Sequence, residues 1–199
     1  MGVMTTILGY LVITAAELGL AGWLGKKEEI FSFKTHKYTI IIAVGNLLLL
    51  FFAIWKKKQT GNEAVWYFGI WAYLFGLAIY DLKCRELPDW WHLLPAVPCG
   101  AVWLMRCQPV QVKESLFAVL VLAAVFGLVY LLRKDAIGLG DIKLILVCAF
   151  YLGRLSFGMI CWGMMAAFVC SIILLVCKKA TPASGLPFAP FLLFGALFI

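Results

Sequence analysis

The sequence predicts an all-α, polytopic integral membrane protein with about eight transmembrane helices, six at the fewest. Two observations carry this expectation. Apolar side chains make up 64% of the 199 residues, against roughly 45–50% in soluble domains, and the mean hydropathy is +0.99. These side chains also fall into runs approaching the ~20 residues that a spanning helix needs. The longest mostly polar stretch, residues 26–37, has twelve residues. That is far below the ~40 at which even stapled aqueous domains become viable, so a soluble globular domain is excluded.

Apolar runs between charge clusters place the helices at about 4–24, 38–55, 64–80, 92–106, 115–132, 141–153, 159–177 and 185–199. The first run lacks a basic flank and a small-residue cleavage site, so a retained helix is expected rather than a removed signal. Three runs are short for a full crossing. The fourth carries Pro95 and Pro98, the sixth opens on Asp141, and the eighth ends with the sequence. Broken or short segments are tolerated at membrane depth where they line a water-filled cavity, so a cavity is expected near these three.

The net charge of +7 does not indicate nucleic acid, because the seventeen Lys and Arg are scattered among short loops rather than gathered on one face. In an eight-span arrangement, eleven of them fall on one side and six on the other. The richer side is expected to be cytoplasmic. The Lys56-Lys57-Lys58 triplet on the poorer side argues the other way. Seven Cys with no C-x-x-C pair give neither a metal site nor a disulfide framework. Cys148, Cys161, Cys170 and Cys177 sit within apolar runs, where Cys behaves as a small hydrophobe. No cofactor is expected.

Aspartate is rare, and its placement is informative. All four Asp (Asp81, Asp89, Asp135 and Asp141) lie in or beside the loops 81–92 and 133–141, both on the expected cytoplasmic side. Asp81 closes the third run and Asp141 opens the sixth, so two carboxylates reach one membrane face from different helices. Ionisable groups at the edge of the hydrocarbon are costly, which makes function the default hypothesis for them. Two neighbouring carboxylates share a proton, one serving as base on a water and the other as acid. Such a pair hydrolyses peptide bonds without a metal. Gly138 and Gly140 have no Cβ, which admits close backbone approach and would allow positive φ in the turn that aims Asp141. His36 and His92 are the only histidines, and His92, beside Trp90 and Trp91, fits an interfacial position.

With these residues in view, the chain resembles the bacterial type IV prepilin peptidases, membrane aspartic proteases. Gly138-Leu139-Gly140-Asp141-Ile142-Lys143-Leu144 is similar to the family's GxGD-x-K-L signature. Asp81-Leu82-Lys83-Cys84-Arg85-Glu86-Leu87-Pro88-Asp89 resembles its other Asp motif, and Leu186-Pro187-Phe188-Ala189-Pro190-Phe191 its C-terminal Pro-Phe run. The resemblance covers residues 64–199, the expected protease core. Residues 1–63 form two N-terminal helices of unassigned role, in which Glu17 and Asn46 are expected to be partnered structural groups.

The resemblance implies catalytic Asp81 and Asp141, with Gly138, Gly140 and Lys143 in support. It implies cleavage of prepilin-like precursors, between a short basic leader and a hydrophobic helix, at the bacterial inner membrane. Bifunctional members carry a cytoplasmic domain with paired C-x-x-C zinc ligands, whereas only residues 26–37, without Cys, stand at that position here. A protease without N-methyltransferase activity is therefore expected. Membrane lipid is the other expected partner. Alternatives are a presenilin-like intramembrane protease and a proton-coupled small-molecule transporter.

Helix dipoles suggest a charge assignment within the pair. Asp141 starts a helix and Asp81 ends one, which favours charge on Asp141 and the shared proton on Asp81. Lys143 stands two residues from Asp141, and i,i+2 side chains do not face each other on a helix. Lys143 is therefore expected to reach across to Asp81, its loop or the substrate. Lys83, Arg85, Arg133 and Lys134 fit topology signals and lipid anchors.

Overall fold

The computed structural model describes residues 10–15, 19, 36–57, 62–84, 109–134, 137–178 and 185–199. Among them, regular structure is entirely helical. The named helices are α1 (His36–Lys57), α2 (Asn62–Cys84), α3 (Pro109–Leu132), α4 (Leu139–Leu152), α5 (Leu155–Val176) and α6 (Ala189–Phe198). They match six of the eight expected runs. Most of the first run, the whole fourth run with Pro95, Pro98 and His92, and the side chains of Asp89 and Asp135 lie outside the described residues.

Two compact units divide the chain, Met1–Gly76 and Leu77–Ile199, and the division falls inside α2. In the first unit, Phe68, Trp71 and Leu74 of α2 are buried. The Phe75 ring occupies the space that Gly45 of α1 leaves open. Phe52 meets Trp71 at 5.5 Å between ring centroids, and the Tyr10 hydroxyl donates to the Ala43 carbonyl at 3.4 Å. Asn46 is fully buried on α1.

In the second unit, α5 packs most extensively on α6, and α4 touches both α3 and α5. Leu144, Ile145, Cys148, Met159 and Leu192 form its buried centre. Only Gly153 and Arg154 separate α4 from α5. Gly153 takes φ +54°, a backbone conformation that a side chain disfavours, and the Ser156 hydroxyl donates to its carbonyl at 2.6 Å. The expected break before residue 159 is therefore much shorter than its polar and small residues suggested. Ser156 turns its hydroxyl back onto the backbone instead of ending the helix.

Among the described residues, two helices are long and apolar enough to cross a membrane, Val112–Leu132 and Leu155–Val176. Only 22% and 17% of these segments is buried within the protein, and neither lies near the N-terminus. A core helix of a soluble protein would be largely covered. Large apolar side chains such as Leu120, Leu131, Phe168 and Val176 instead face outward, as a hydrocarbon solvent allows. With 14 residues, α4 is about 21 Å long at 1.5 Å per residue, shorter than the ~30 Å hydrocarbon core.

Candidate active site

Asp81 and Asp141 lie on different helices of the second unit, Asp81 held by two backbone N–H groups and Asp141 by one. Asp81 occupies the last turn of α2 and is only 5% exposed. Its Oδ2 accepts the backbone N–H of Ala189 at 3.0 Å, and the Phe188 N–H also donates to the carboxyl. These two donors open α6. A helix start leaves its first N–H groups without partners inside the helix. In α6, Pro190 has no N–H, and Phe191 and Leu192 donate to the Phe188 carbonyl at 3.1 and 3.2 Å. The remaining N–H groups, those of Phe188 and Ala189, converge on Asp81.

Asp141 is the third residue of α4, and the Gly138 N–H before the helix donates to its carboxyl. This is one half of a capping box, in which an acidic side chain reaches back to the residue that caps its helix. Gly138 has φ −68° and ψ 143°, an ordinary extended conformation, and Gly140 lies within α4. The positive φ expected of this turn is thus not used. The turn is an extended-to-helix step that any residue can make. What Gly138 supplies is a bare, exposed backbone next to Asp141.

Both carboxyls stand at helix ends, outside Val112–Leu132 and Leu155–Val176, the helices long and apolar enough to cross a membrane. Burial pushes the Asp81 carboxyl above its ordinary value, while the Ala189 and Phe188 N–H groups pull it back down. Asp141 is raised from 3.8 to about 6, first by burial and then by the negative charge of Asp81, with the Gly138 N–H opposing. The electrostatic coupling means that the two groups sense each other's charge. The dipole argument from the sequence is incomplete here. It counted only the helix on which Asp81 ends and missed the start of α6, whose N–H groups favour the ionised form of Asp81.

The remaining predicted residues divide. Lys143 is exposed on α4, and Lys83, Arg133 and Lys134 are exposed as well. Arg85 lies outside the described residues. The sequence reading gave no role to the backbone of Phe188 and Ala189 or to the glycines of the α5–α6 contact. The available signal was the pair Pro187 and Pro190, which bracket two N–H donors at a helix start.

The chain matches the type IV leader peptidase family over residues 66–177. No curated protein and no solved structure matches it. With more than half of its length covered, the chain belongs to the type IV leader peptidase family, and its activity is of the prepilin-leader peptidase kind. The match includes Asp81, Gly138, Gly140, Asp141 and Lys143, and ends before α6.

Proposed function

We propose that Asp81 and Asp141 form an aspartic dyad that removes the short basic leader of type IV prepilin-like precursors. What supports this reading is a half-buried Asp141 carboxyl raised by burial and by the charge of the buried Asp81. Each carboxyl is held by backbone N–H donation, in a chain of the leader peptidase family. Residues 64–199 would be the protease core, and residues 1–63 two further membrane helices. The assignment extends to a multi-pass protein of the bacterial inner membrane whose site opens on the cytoplasmic face. There the scissile bond would sit where the leader meets the substrate's hydrophobic helix.

Below a pH of about 6, where the dyad holds one proton, Asp81 is the carboxylate and Asp141 carries that proton. Asp81 takes a proton from a water whose oxygen bonds to the scissile carbonyl carbon, and Asp141 donates its proton to the carbonyl oxygen. The product is a neutral diol. Asp81 then gives its proton to the departing amide nitrogen as the C–N bond breaks, while a diol hydroxyl returns a proton to Asp141. Both carboxyls end as they began. Gly138 leaves room for the substrate backbone beside Asp141, and Lys143 supports from the exposed side of α4. The twelve-residue connection at 26–37, without Cys, supports a protease without methyltransferase activity.

The test is incubation of membranes containing this chain with a precursor bearing a basic leader and a Gly before its hydrophobic helix. Loss of the leader, with a free N-terminus generated after that Gly and no methyl group on it, is the expected product. An intact precursor, across several leaders of this kind, would overturn the reading.

A further inference from the structure

We propose that Gly163 and Gly195 are positioning residues for Asp81, acting through the backbone N–H groups that open α6. This rests on the reading of Asp81 as a dyad member. The two glycines lie where α5 and α6 come closest. A Cβ on Gly163 would stand 2.8 Å from the Phe191 carbonyl oxygen, which belongs to the first turn of α6. A Cβ on Gly195, one turn further along, would overlap the Met159 carbonyl and approach the Gly163 nitrogen at 2.9 Å. Backbone thus lies directly on backbone over one turn of each helix. Small residues at a membrane helix contact permit this closeness, and a backbone neighbour cannot swing aside as a side-chain tip can.

The consequence reaches Asp81 because the clamped turn is the one that holds it. Ala189 is fully buried, and only Pro190 separates it from Phe191. Any added atom at 163 displaces the Phe191 carbonyl and, with it, the short N-terminal turn. The Ala189 N–H to Asp81 contact, at 3.0 Å, weakens steeply with misalignment. Water cannot easily replace a donor at a carboxyl that is 5% exposed. Among the described residues, Asp141 on another helix senses the charge of Asp81, and on its own helix Lys83 follows two residues later. Losing the N–H donors leaves Asp81 with burial and the Asp141 carboxyl but without the groups that favour its ionised form.

The experiment uses the full chain in membranes, comparing wild type with Gly163→Ala, Gly195→Ala and, as a control, Gly127→Ala, whose added Cβ meets nothing within 4 Å. Leader removal is followed against pH. The titration of Asp81 is followed independently by carboxyl infrared bands, isolated by difference from Asp81→Asn. In both clamp variants the acid limb of the rate profile and the Asp81 titration are expected to move together to higher pH by about one unit, the scale of a lost N–H donor to a carboxylate. Gly127→Ala should overlay wild type. If Gly195→Ala does not accumulate, Gly163→Ala and an ester in place of the Ala189 amide, which deletes the donor alone, carry the same test. Unmoved infrared titrations in these variants, or an equal shift in Gly127→Ala, would overturn the proposal. If wild type leaves precursors intact, or Asp81→Asn still cleaves, the dyad reading fails instead, and the infrared titration alone decides whether the clamp sets the charge of Asp81.

Discussion

Asp81 accepts the backbone N–H of Ala189 at 3.0 Å across 108 residues of sequence. One carboxylate therefore caps a helix that begins near the other end of the chain. It satisfies donors that Pro190 and the Phe188 carbonyl leave over, and it takes from them a bias toward its ionised form.

This double role separates two substitutions at one position. Asp81→Ala strands a fully buried Ala189 N–H, at a cost of about 1–3 kcal/mol. In Asp81→Asn the amide oxygen still accepts, and most of that loss should be spared. Thermal unfolding in detergent checks this, and equal melting temperatures for the two variants would contradict the capping role.

At Asp141 substitution is expected to act in the other direction. Its folded-state pKa is raised from 3.8 to about 6, so the folded protein holds this proton more tightly than the unfolded chain does. Stability from this group is greatest below pH 3.8 and declines until pH passes about 6. Asp141→Asn removes a charge that is disfavoured by burial and by Asp81. It is expected to raise the melting temperature at pH 7.5, with the gain shrinking to nothing near pH 4. A gain that grows as pH falls would contradict the assignment.

Gly138→Ala separates fold from substrate approach. At φ −68° the residue can carry a side chain, and an added Cβ would stand 3.4 Å from Asp141 Oδ2, an ordinary contact. Folding should change by less than about 0.5 kcal/mol, and any loss of activity should appear in KM more than in kcat. A large drop in melting temperature would contradict this.

Gly153 is the reverse case. At φ +54° between α4 and α5, an alanine is strained by about 1 kcal/mol or more. Gly153→Ala should lower the melting temperature while leaving the pH profile of leader removal unmoved. By contrast Arg154→Ala, which breaks an exposed 3.4 Å pair with Glu114, should cost no more than about 0.5 kcal/mol.

Helices and Asp positions were legible because they are local. Apolar runs bounded by charge gave α1 to α6 to within a few residues, and the scarcity of Asp singled out Asp81 and Asp141. The N–H donors on Asp81 were not legible, because they belong to α6, a helix not adjacent in sequence to either carboxyl. The same limit hid Gly163 and Gly195. Each is unremarkable in its own apolar run, and only the α5–α6 crossing shows that neither has room for a methyl group. The turn before α4 misled for a local reason: two glycines suggested an unusual backbone, yet Gly138 adopts an ordinary one.

The most direct test of the central claim is leader removal by Asp81→Asn and Asp141→Asn, each first shown to fold as wild type does. Both are expected to lose at least about 100-fold in rate, as removal of a general acid or base requires, although Asp81→Asn keeps its helix cap. Cleavage at near wild-type rate by either folded variant would contradict the dyad and leave Asp81 as a helix cap alone.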